Sequence, residues 1–141
     1  MNWDKARAFA KRAHKGQKRW GGEPFVTHPE AVATVIGEDY GYDSFEAQAA
    51  WLHDVVEDTN LTFQDLAFAG FDNQVIGIVS YLTKREGEAY LDYVRRVALQ
   101  DEAREIKIAD LTHNLSTSDD GKHKSLRDKW ELAKFILESL D

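Results

Sequence analysis

The stretch FEAQAAWLHDVVED, residues 45–58, combines a helical pattern of apolar side chains with titratable groups towards its end. Asp43 or Ser44, just before it, is suited to accept hydrogen bonds from the first N–H groups of a helix. Small side chains early in the stretch allow another helix to approach closely: Ala47, Ala49 and Ala50. The stretch therefore predicts a helix that packs tightly against its neighbours.

The polar end of this stretch holds two pairs of side chains one helical turn apart. His53 and Glu57 are spaced i, i+4, and so are Asp54 and Asp58, so both pairs project from adjacent strips of one predicted helix. Clustered carboxylates are costly to bury unless cations or hydrogen bonds compensate, and a divalent metal is the simplest compensation. The alternative is a solvated helix end, although the helix dipole disfavours acids there. The segment alone leaves both interpretations open.

The rest of the chain continues the helical spacing, and no segment alternates convincingly with a period of two. Asn2 is a candidate N-cap, and the only two prolines lie in one early loop or at the start of the second helix. We predict an all-α domain of about seven or eight helices, with segments near 2–15, 29–37, 44–58, 62–69, 73–81, 86–99, 101–116 and 125–140.

Composition restricts the classes of function. The chain of 141 residues is expected to form one domain, 1–141, and its lack of cysteine excludes disulfides, thiolate metal sites and cysteine nucleophiles. A net charge of −7 argues against broad nucleic-acid binding, and no apolar run approaches the roughly 20 residues that span a bilayer. We expect a mature, soluble, cytoplasmic protein with neither nucleic acid nor membrane as partner.

Three polar residues outside the first stretch are candidates for the same site. His28 lies at the entrance of a helix in THP (27–29), where a histidine is more often a cap or a packed ring than a ligand. Asp110 lies in an apolar stripe of IKIADLTHN (106–114), with Asn114 one turn later on the same face. Taken singly, Asp110 is better explained by a structural bond to a lysine or a helix cap.

Together, His28, His53-Asp54 and Asp110 occur in the order H…HD…D, which resembles the metal-binding signature of the HD superfamily of phosphohydrolases. Several longer stretches resemble the hydrolase domain of the RelA/SpoT family and its small Mesh1-type relatives: AHKGQKRWGGEPFVTHPEAVA, AAWLHDVVEDT, LTK and IKIADLTHN. The similarity extends to about residue 116, and HDVVEDT is its most discriminating element. The fold of that family is all-α, which agrees with the independent prediction.

The resemblance implies a role for each candidate. It assigns one divalent metal, typically manganese, to His28, His53, Asp54 and Asp110, although this ligand set also suits iron or zinc. It implies catalytic roles for the pair Glu57 and Asp58, and substrate contacts for Lys18, Arg19 and Asn114. For Lys18 and Arg19 a solvated basic end of the first helix remains an alternative.

The implied reaction is hydrolysis of the 3′-pyrophosphate of guanosine tetra- or pentaphosphate, giving GDP or GTP and pyrophosphate. Alternatives are another phosphorylated nucleotide as substrate, or a non-catalytic nucleotide-binding module of the same fold. Synthesis of guanosine tetra- or pentaphosphate is not expected of a chain of 141 residues. The C-terminal segment, 117–141, is expected to form a packing helix or a helix that joins two copies in a homodimer.

The sequence departs from the family at three positions. Trp20 stands where the family usually has a cation, Phe25 where it has tyrosine, and Leu111 where lysine or arginine commonly follows the aspartate. Trp20 could stack on a base, but we slightly favour a role in covering the core. These changes leave the predicted metal ligands intact and leave the substrate open.

Overall fold

The computed structural model describes residues 1–140, so residue 141 of the predicted domain lies outside the described part. Within residues 1–140 the chain forms nine α-helices: α1 (Asn2–Ala13), α2 (Thr27–Tyr40), α3 (Phe45–Leu52), α4 (Val55–Asp58), α5 (Phe63–Phe68), α6 (Asn73–Leu82), α7 (Tyr90–Ala98), α8 (Asp101–Thr117) and α9 (Lys124–Glu138). Helix α4 is a single turn that follows α3 almost directly. Counted as one segment with α3, it leaves eight helices, and the predicted all-α fold is confirmed.

The predicted helix starts are correct where a side chain caps them. The Ser44 hydroxyl accepts from the Ala47 N–H at 3.0 Å, and the Asp72 carboxylate accepts from the Gln74 N–H at 2.8 Å. Thr62 and Asp65 form a capping box at α5. In contrast, Asn2 is the first residue of α1 and does not cap it, so that prediction is wrong.

Two helix boundaries differ from the prediction by three or four residues, the end of α2 and the start of α7. Helix α2 continues past Gly37 to Tyr40, where the positive φ of Gly41 (100°) ends it. Helix α7 begins at Tyr90 and not near residue 86, because residues 83–89 form a loop. That loop is held by Arg96, whose guanidinium donates to the Glu88 carboxylate and to the Thr83 carbonyl.

The helix predicted over residues 44–58 is interrupted at His53 and Asp54. His53 Nδ1 lies 2.6 Å from the Ala50 carbonyl oxygen, so the imidazole N–H donates to a main-chain acceptor of the last turn of α3. A side chain that competes for a helix carbonyl interrupts the regular hydrogen-bond ladder. The i, i+4 geometry predicted for this segment is therefore wrong, and His53 and Asp54 lie in a turn between α3 and α4.

Helix α3 forms the centre of the molecule. It contacts α1, α2, α6 and α8, and its residues 47–52 are all buried. The small side chains Ala47, Ala49 and Ala50 allow these close approaches, while Trp51 and Leu52 fill the space between the helices. This central position places the turn after α3 next to α2 and α8.

Helix α9 packs on α8 and α7. Ala133 and Leu137 face the core, while Leu132, Phe135 and Leu140 on the other side are exposed. The packing role predicted for this segment is therefore observed, and its role in a homodimer stays a prediction. None of the helices formed by residues 1–140 is long and apolar enough to cross a membrane.

Candidate metal centre and adjoining cleft

Four side chains from three separate parts of the chain converge next to the end of α3. His28 lies in the first turn of α2, His53 and Asp54 form the turn between α3 and α4, and Asp110 lies in the middle of α8. One ligand atom from each lies within 4.8 Å of the others. The structure thus brings together all four residues that the resemblance assigned to a metal.

The two imidazoles face the two carboxylates at short distances. His28 Nε2 lies 2.7 Å from Asp110 Oδ1 and 3.6 Å from Asp54 Oδ2. His53 Nε2 lies 3.1 Å from Asp54 Oδ2 and 3.4 Å from Asp110 Oδ1. His28, His53 and Asp110 are buried, whereas the Asp54 side chain is 17% exposed.

Hydrogen bonds behind the site orient these ligand atoms. Because His53 Nδ1–H donates to the Ala50 carbonyl, the lone pair of the neutral ring is on Nε2 and points towards the carboxylates. Lys107 Nζ contacts Asp110 Oδ2 at 2.8 Å, so Oδ1 is the oxygen that faces the histidines. The lysine bond that the sequence offered as an alternative for Asp110 therefore exists beside the predicted cluster.

Two lone pairs of nitrogen and two of oxygen that point at one another repel unless a proton or a cation lies between them. Burial lowers the pKa of His53, but the charges and hydrogen bonds of Asp54 and Asp110 outweigh it and raise that pKa well above its usual value. A divalent ion between the imidazole nitrogens and the carboxylate oxygens would supply the same positive charge. Two imidazole nitrogens and two carboxylate oxygens are suitable ligands for manganese, iron or zinc.

Glu57 and Asp58 lie on α4, one turn beyond the four ligands. The Glu57 carboxylate accepts a hydrogen bond from the main-chain N–H of Lys84, and Gln17 Nε2 donates to the Asp58 carbonyl at 2.8 Å. Glu57 and Asp58 both reach solvent, but partial desolvation beside the cluster and the charges of Asp54 and Glu57 raise the pKa of Asp58 to about 7. Burial likewise raises the pKa of Glu57, although the Lys84 N–H opposes this shift.

A cleft of about 270 Å³ adjoins the cluster and is lined by every predicted site residue except His53, which is buried. Lys18 on its rim is exposed. Arg19 is buried against α8, where its guanidinium donates to Asn114 Oδ1 at 3.0 Å and to Thr117 Oγ1 at 3.1 Å. Helix α1 ends at Ala13, so neither residue belongs to the end of the first helix; Lys18 is nevertheless solvated, whereas the solvated alternative is wrong for Arg19.

The departures from the family pattern have different structural consequences. Leu111 is fully buried in the core and does not line the cleft. Trp20 lines the cleft, is 39% exposed, donates from Nε1 to the Thr117 carbonyl at 2.7 Å and packs against Trp130 of α9. The preference for Trp20 as a cover of the core is therefore wrong in part, because this ring lies at the rim of the cleft.

Two residues of the site did not figure among the predicted ones. Lys107 lines the cleft and pairs with Asp110, and its signal was the i, i+3 spacing to that aspartate. His113 Nδ1 lies 2.7 Å from His28 Nδ1, and the two rings meet edge to edge, with their planes inclined by 26°. Its signal was the same spacing beyond Asp110. Burial and the neighbouring His28 and Arg19 lower the pKa of His113 to about 4.

The fold is all-helical, and it brings two histidines and two aspartates together beside a cleft that Glu57 and Asp58 also line. These features are those of a helical domain with a candidate site for a divalent metal. The family model described as HD domain matches residues 6–136, and the chain belongs to this family. It is 40% identical over 123 residues to a GTP pyrophosphokinase of Streptomyces coelicolor, and 39% identical over 119 residues to the bifunctional (p)ppGpp synthase/hydrolase SpoT of Escherichia coli.

The chain corresponds to a small part of these curated relatives. The matches cover 81% and 77% of this chain but only 14% and 17% of the two relatives. A solved structure, described as a metazoan ortholog of SpoT that hydrolyses ppGpp, matches with a TM-score of 0.79 at 25% identity. That match covers 99% of this chain and 84% of the other. The resemblance to SpoT-type hydrolase domains is thus confirmed.

Proposed function

We propose that the chain is a metal-dependent phosphohydrolase that removes the 3′-pyrophosphate of guanosine tetra- or pentaphosphate. The observation that carries this proposal is the position of Glu57 and Asp58 in the same cleft as the four candidate ligands. The names of the SpoT relative and of the metazoan ortholog support this substrate. In this reaction water adds to the phosphorus that bears the 3′ oxygen, the P–O bond to the ribose breaks, and the 3′ oxygen takes up a proton.

The residues of the cleft are suited to two tasks, which are binding of a metal ion and activation of a water molecule. His28, His53, Asp54 and Asp110 would hold the divalent ion, for which we propose manganese. When bound, such an ion supplies Lewis-acid chemistry and lowers the pKa of water. Glu57 and Asp58 would orient the attacking water and accept its proton, since pKa values raised by burial bring a carboxylate closer to the range of a general base.

Positive charge around the cleft would hold the phosphates. Lys18 lies exposed on the rim and is free to adjust to a charged substrate. Lys107 lines the cleft as well, although Asp110 already offsets its charge. Asn114 and Arg19 lie on the cleft wall, where Asn114 presents an amide and Arg19 a guanidinium. We propose the cytoplasm as the site of action.

Another phosphorylated nucleotide is the second candidate substrate, because the wall of the cleft differs from the family at Trp20. An aromatic ring there contributes stacking surface where the family has a cation. Leu111 does not favour either substrate, since its side chain lies in the core.

Metal-stripped protein reconstituted with Mn²⁺ and incubated with guanosine tetraphosphate tests the proposal. We expect release of pyrophosphate and GDP, measured by ion-exchange chromatography, and no turnover after chelation. Protein that is loaded with Mn²⁺ but leaves this substrate intact, while it cleaves another member of a nucleotide panel, contradicts the substrate and retains the reaction class.

Two substitutions separate binding of the metal from turnover. Asp54→Ala removes a candidate ligand and is expected to abolish both Mn²⁺ binding and hydrolysis. Glu57→Ala keeps all four candidate ligands and is expected to retain Mn²⁺ while lowering kcat by about 10²–10⁴-fold. Normal Mn²⁺ binding by Asp54→Ala would show that the ligand assignment is wrong.

A further inference from the structure

We propose that Arg19 and His113 are positioning residues for the metal centre: Arg19 holds His113 as a hydrogen-bond acceptor, and His113 thereby fixes the tautomer of His28 that presents Nε2 to the ion. The proposal rests on the metal site of the proposed function. It gives Arg19 a task in assembling the site, in addition to any contact with phosphate.

The hydrogen-bond directions follow from the chemistry of arginine. A guanidinium donates and cannot accept, so His113 Nδ1, which lies 3.1 Å from Arg19 Nη1, must carry a lone pair. The same nitrogen lies 2.7 Å from His28 Nδ1. Because His113 Nδ1 has no proton to give, His28 Nδ1 must be the protonated partner. His28 Nε2 is then the nitrogen with the lone pair.

This tautomer is the one that a metal ligand requires. His28 Nε2 lies within 4 Å of oxygens of both Asp110 and Asp54, at 2.7 Å and 3.6 Å. His53 is fixed in the same sense by the Ala50 carbonyl, which accepts from its Nδ1. A main-chain carbonyl can only accept, but the ring of His113 could donate or accept, so His28 needs the additional constraint that Arg19 provides.

Arg19 constrains a second group in the same way. Its Nη2 donates to Asn114 Oδ1 at 3.0 Å, which assigns the amide orientation and turns Nδ2 towards Asp110 Oδ1 at 3.4 Å. This amide contact is long and therefore weak. One buried guanidinium thus orders two residues of α8, and each of them faces a different candidate ligand.

The Arg19 side chain is enclosed by its neighbours. Arg19 is 7% exposed, its guanidinium lies 4.4 Å from the Trp20 ring centroid, and the turn that carries it is closed by the Arg19 N–H bond to the Glu23 carbonyl at 2.9 Å. Gly22 in that turn has a φ of 90°, a conformation that favours glycine. The enclosure means that Arg19 has few alternative positions.

Isothermal titration calorimetry of metal-stripped protein with Mn²⁺ tests the proposal with two complementary substitutions. His113→Phe keeps a planar aromatic ring at this position but has no acceptor for His28 Nδ1–H, and we expect the dissociation constant for Mn²⁺ to rise about 10–100-fold. His113→Asn loses the ring but places an amide oxygen near the position of Nδ1, and we expect affinity within about threefold of the parent. Equal affinities for His113→Phe and the parent, or equally weak binding by both variants, would overturn the proposal.

Thr117→Val is the matched control, since Thr117 Oγ1 accepts the remaining Arg19 side-chain hydrogen bond, and its other hydrogen bonds within residues 1–140 go to the carbonyls of His113 and Asn114. We expect its Mn²⁺ affinity to match that of the parent. Arg19→Met provides a second arm if His113→Phe does not fold, as judged by circular dichroism: it releases His113, so weaker Mn²⁺ binding supports the proposal and unchanged binding overturns it.

The experiments distinguish failure of the metal site from failure of the positioning role of Arg19 and His113. If the parent protein does not bind Mn²⁺, or if Asp54→Ala binds it normally, the metal site and the positioning role fall together. If Mn²⁺ binds through Asp54 but guanosine tetraphosphate is not hydrolysed, only the substrate is wrong. The affinities of the His113 variants then still decide the role of His113.

Discussion

Asp58 is a residue whose environment makes stability depend on pH. Its pKa of about 7, compared with the usual 3.8, means that the folded protein retains a proton that the unfolded chain has released between about pH 4 and pH 7. The contribution of this carboxyl to the free energy of unfolding therefore falls as pH rises through that window. The variant Asp58→Asn has no titratable carboxyl group at this position but keeps the main-chain carbonyl that accepts a hydrogen bond from Gln17.

We therefore expect the stability of Asp58→Asn relative to the parent to rise between about pH 4 and pH 7 and to level off above that. The measurement is urea unfolding at a series of pH values in the presence of a chelator, because a bound cation would favour the charged carboxylate. Taking the difference between the two proteins cancels other titrating groups, such as His113. A difference that does not vary with pH contradicts the assigned environment.

Single residues also show what sequence can and cannot reveal about a site. Glu57, Asp58, His53 and Asp54 stand out as a polar cluster because they are adjacent in sequence. Arg19 was predicted as a substrate contact or as part of a solvated basic helix end, and not as a buried partner of α8, because its partners there are 94–98 residues away. No local pattern carries that information, so neither its burial nor its link to His113 could be foreseen.

At the scale of elements, the boundaries that were predicted correctly depend on short-range chemistry. Ser44, Thr62 and Asp72 each bond to an N–H two or three residues away, and such caps are visible in the sequence. At the break between α3 and α4 the His53 imidazole N–H bonds to the Ala50 carbonyl, a contact that helical spacing does not encode. The break matters for function because it turns His53 and Asp54 towards the same point.

The loop between α6 and α7 illustrates how an element distant from the ligands can support the site. Arg96 donates to the carbonyls of Ser80, Tyr81 and Thr83 and pairs with Glu88, which closes the loop of residues 83–89. The loop carries the Lys84 N–H that binds the Glu57 carboxylate. Arg96 thereby links the end of α6 to a proposed catalytic group.

Arg96→Met is expected to lower the melting temperature by on the order of 5 °C and to lower kcat by roughly tenfold, with Mn²⁺ affinity little changed. Differential scanning calorimetry and steady-state kinetics measure the two effects. The adjacent Arg95 is the matched control, because its side chain is 76% exposed and its salt bridge within residues 1–140 is a long one to Asp92, at 3.7 Å. If Arg95→Met produces the same losses, the effect of Arg96 is not due to closure of the loop.

At the scale of the whole molecule, the candidate metal centre joins α2, the turn after α3, and α8. The resemblance to a known family predicted this meeting, whereas composition and spacing left His28 and Asp110 with structural alternatives of their own. The structure explains why they meet: α3 packs between α2 and α8, and both of these helices also contact each other. An ion held by ligands from all three would connect parts of the chain that are 82 residues apart.

This connection predicts a large effect of metal on global stability. An ion that binds only the folded state adds RT ln(1 + [L]/Kd), about 2.7 kcal/mol when free Mn²⁺ is 100 times its Kd. For a domain of this size that corresponds to a rise in melting temperature of roughly 5–10 °C. Asp54→Ala is expected to lose the rise, and Asp92→Ala, which alters a 65% exposed carboxylate on α7, is expected to keep it. If Mn²⁺ raises the melting temperature of Asp54→Ala as much as that of the parent, the ion binds elsewhere and the three segments are held together by side-chain packing alone.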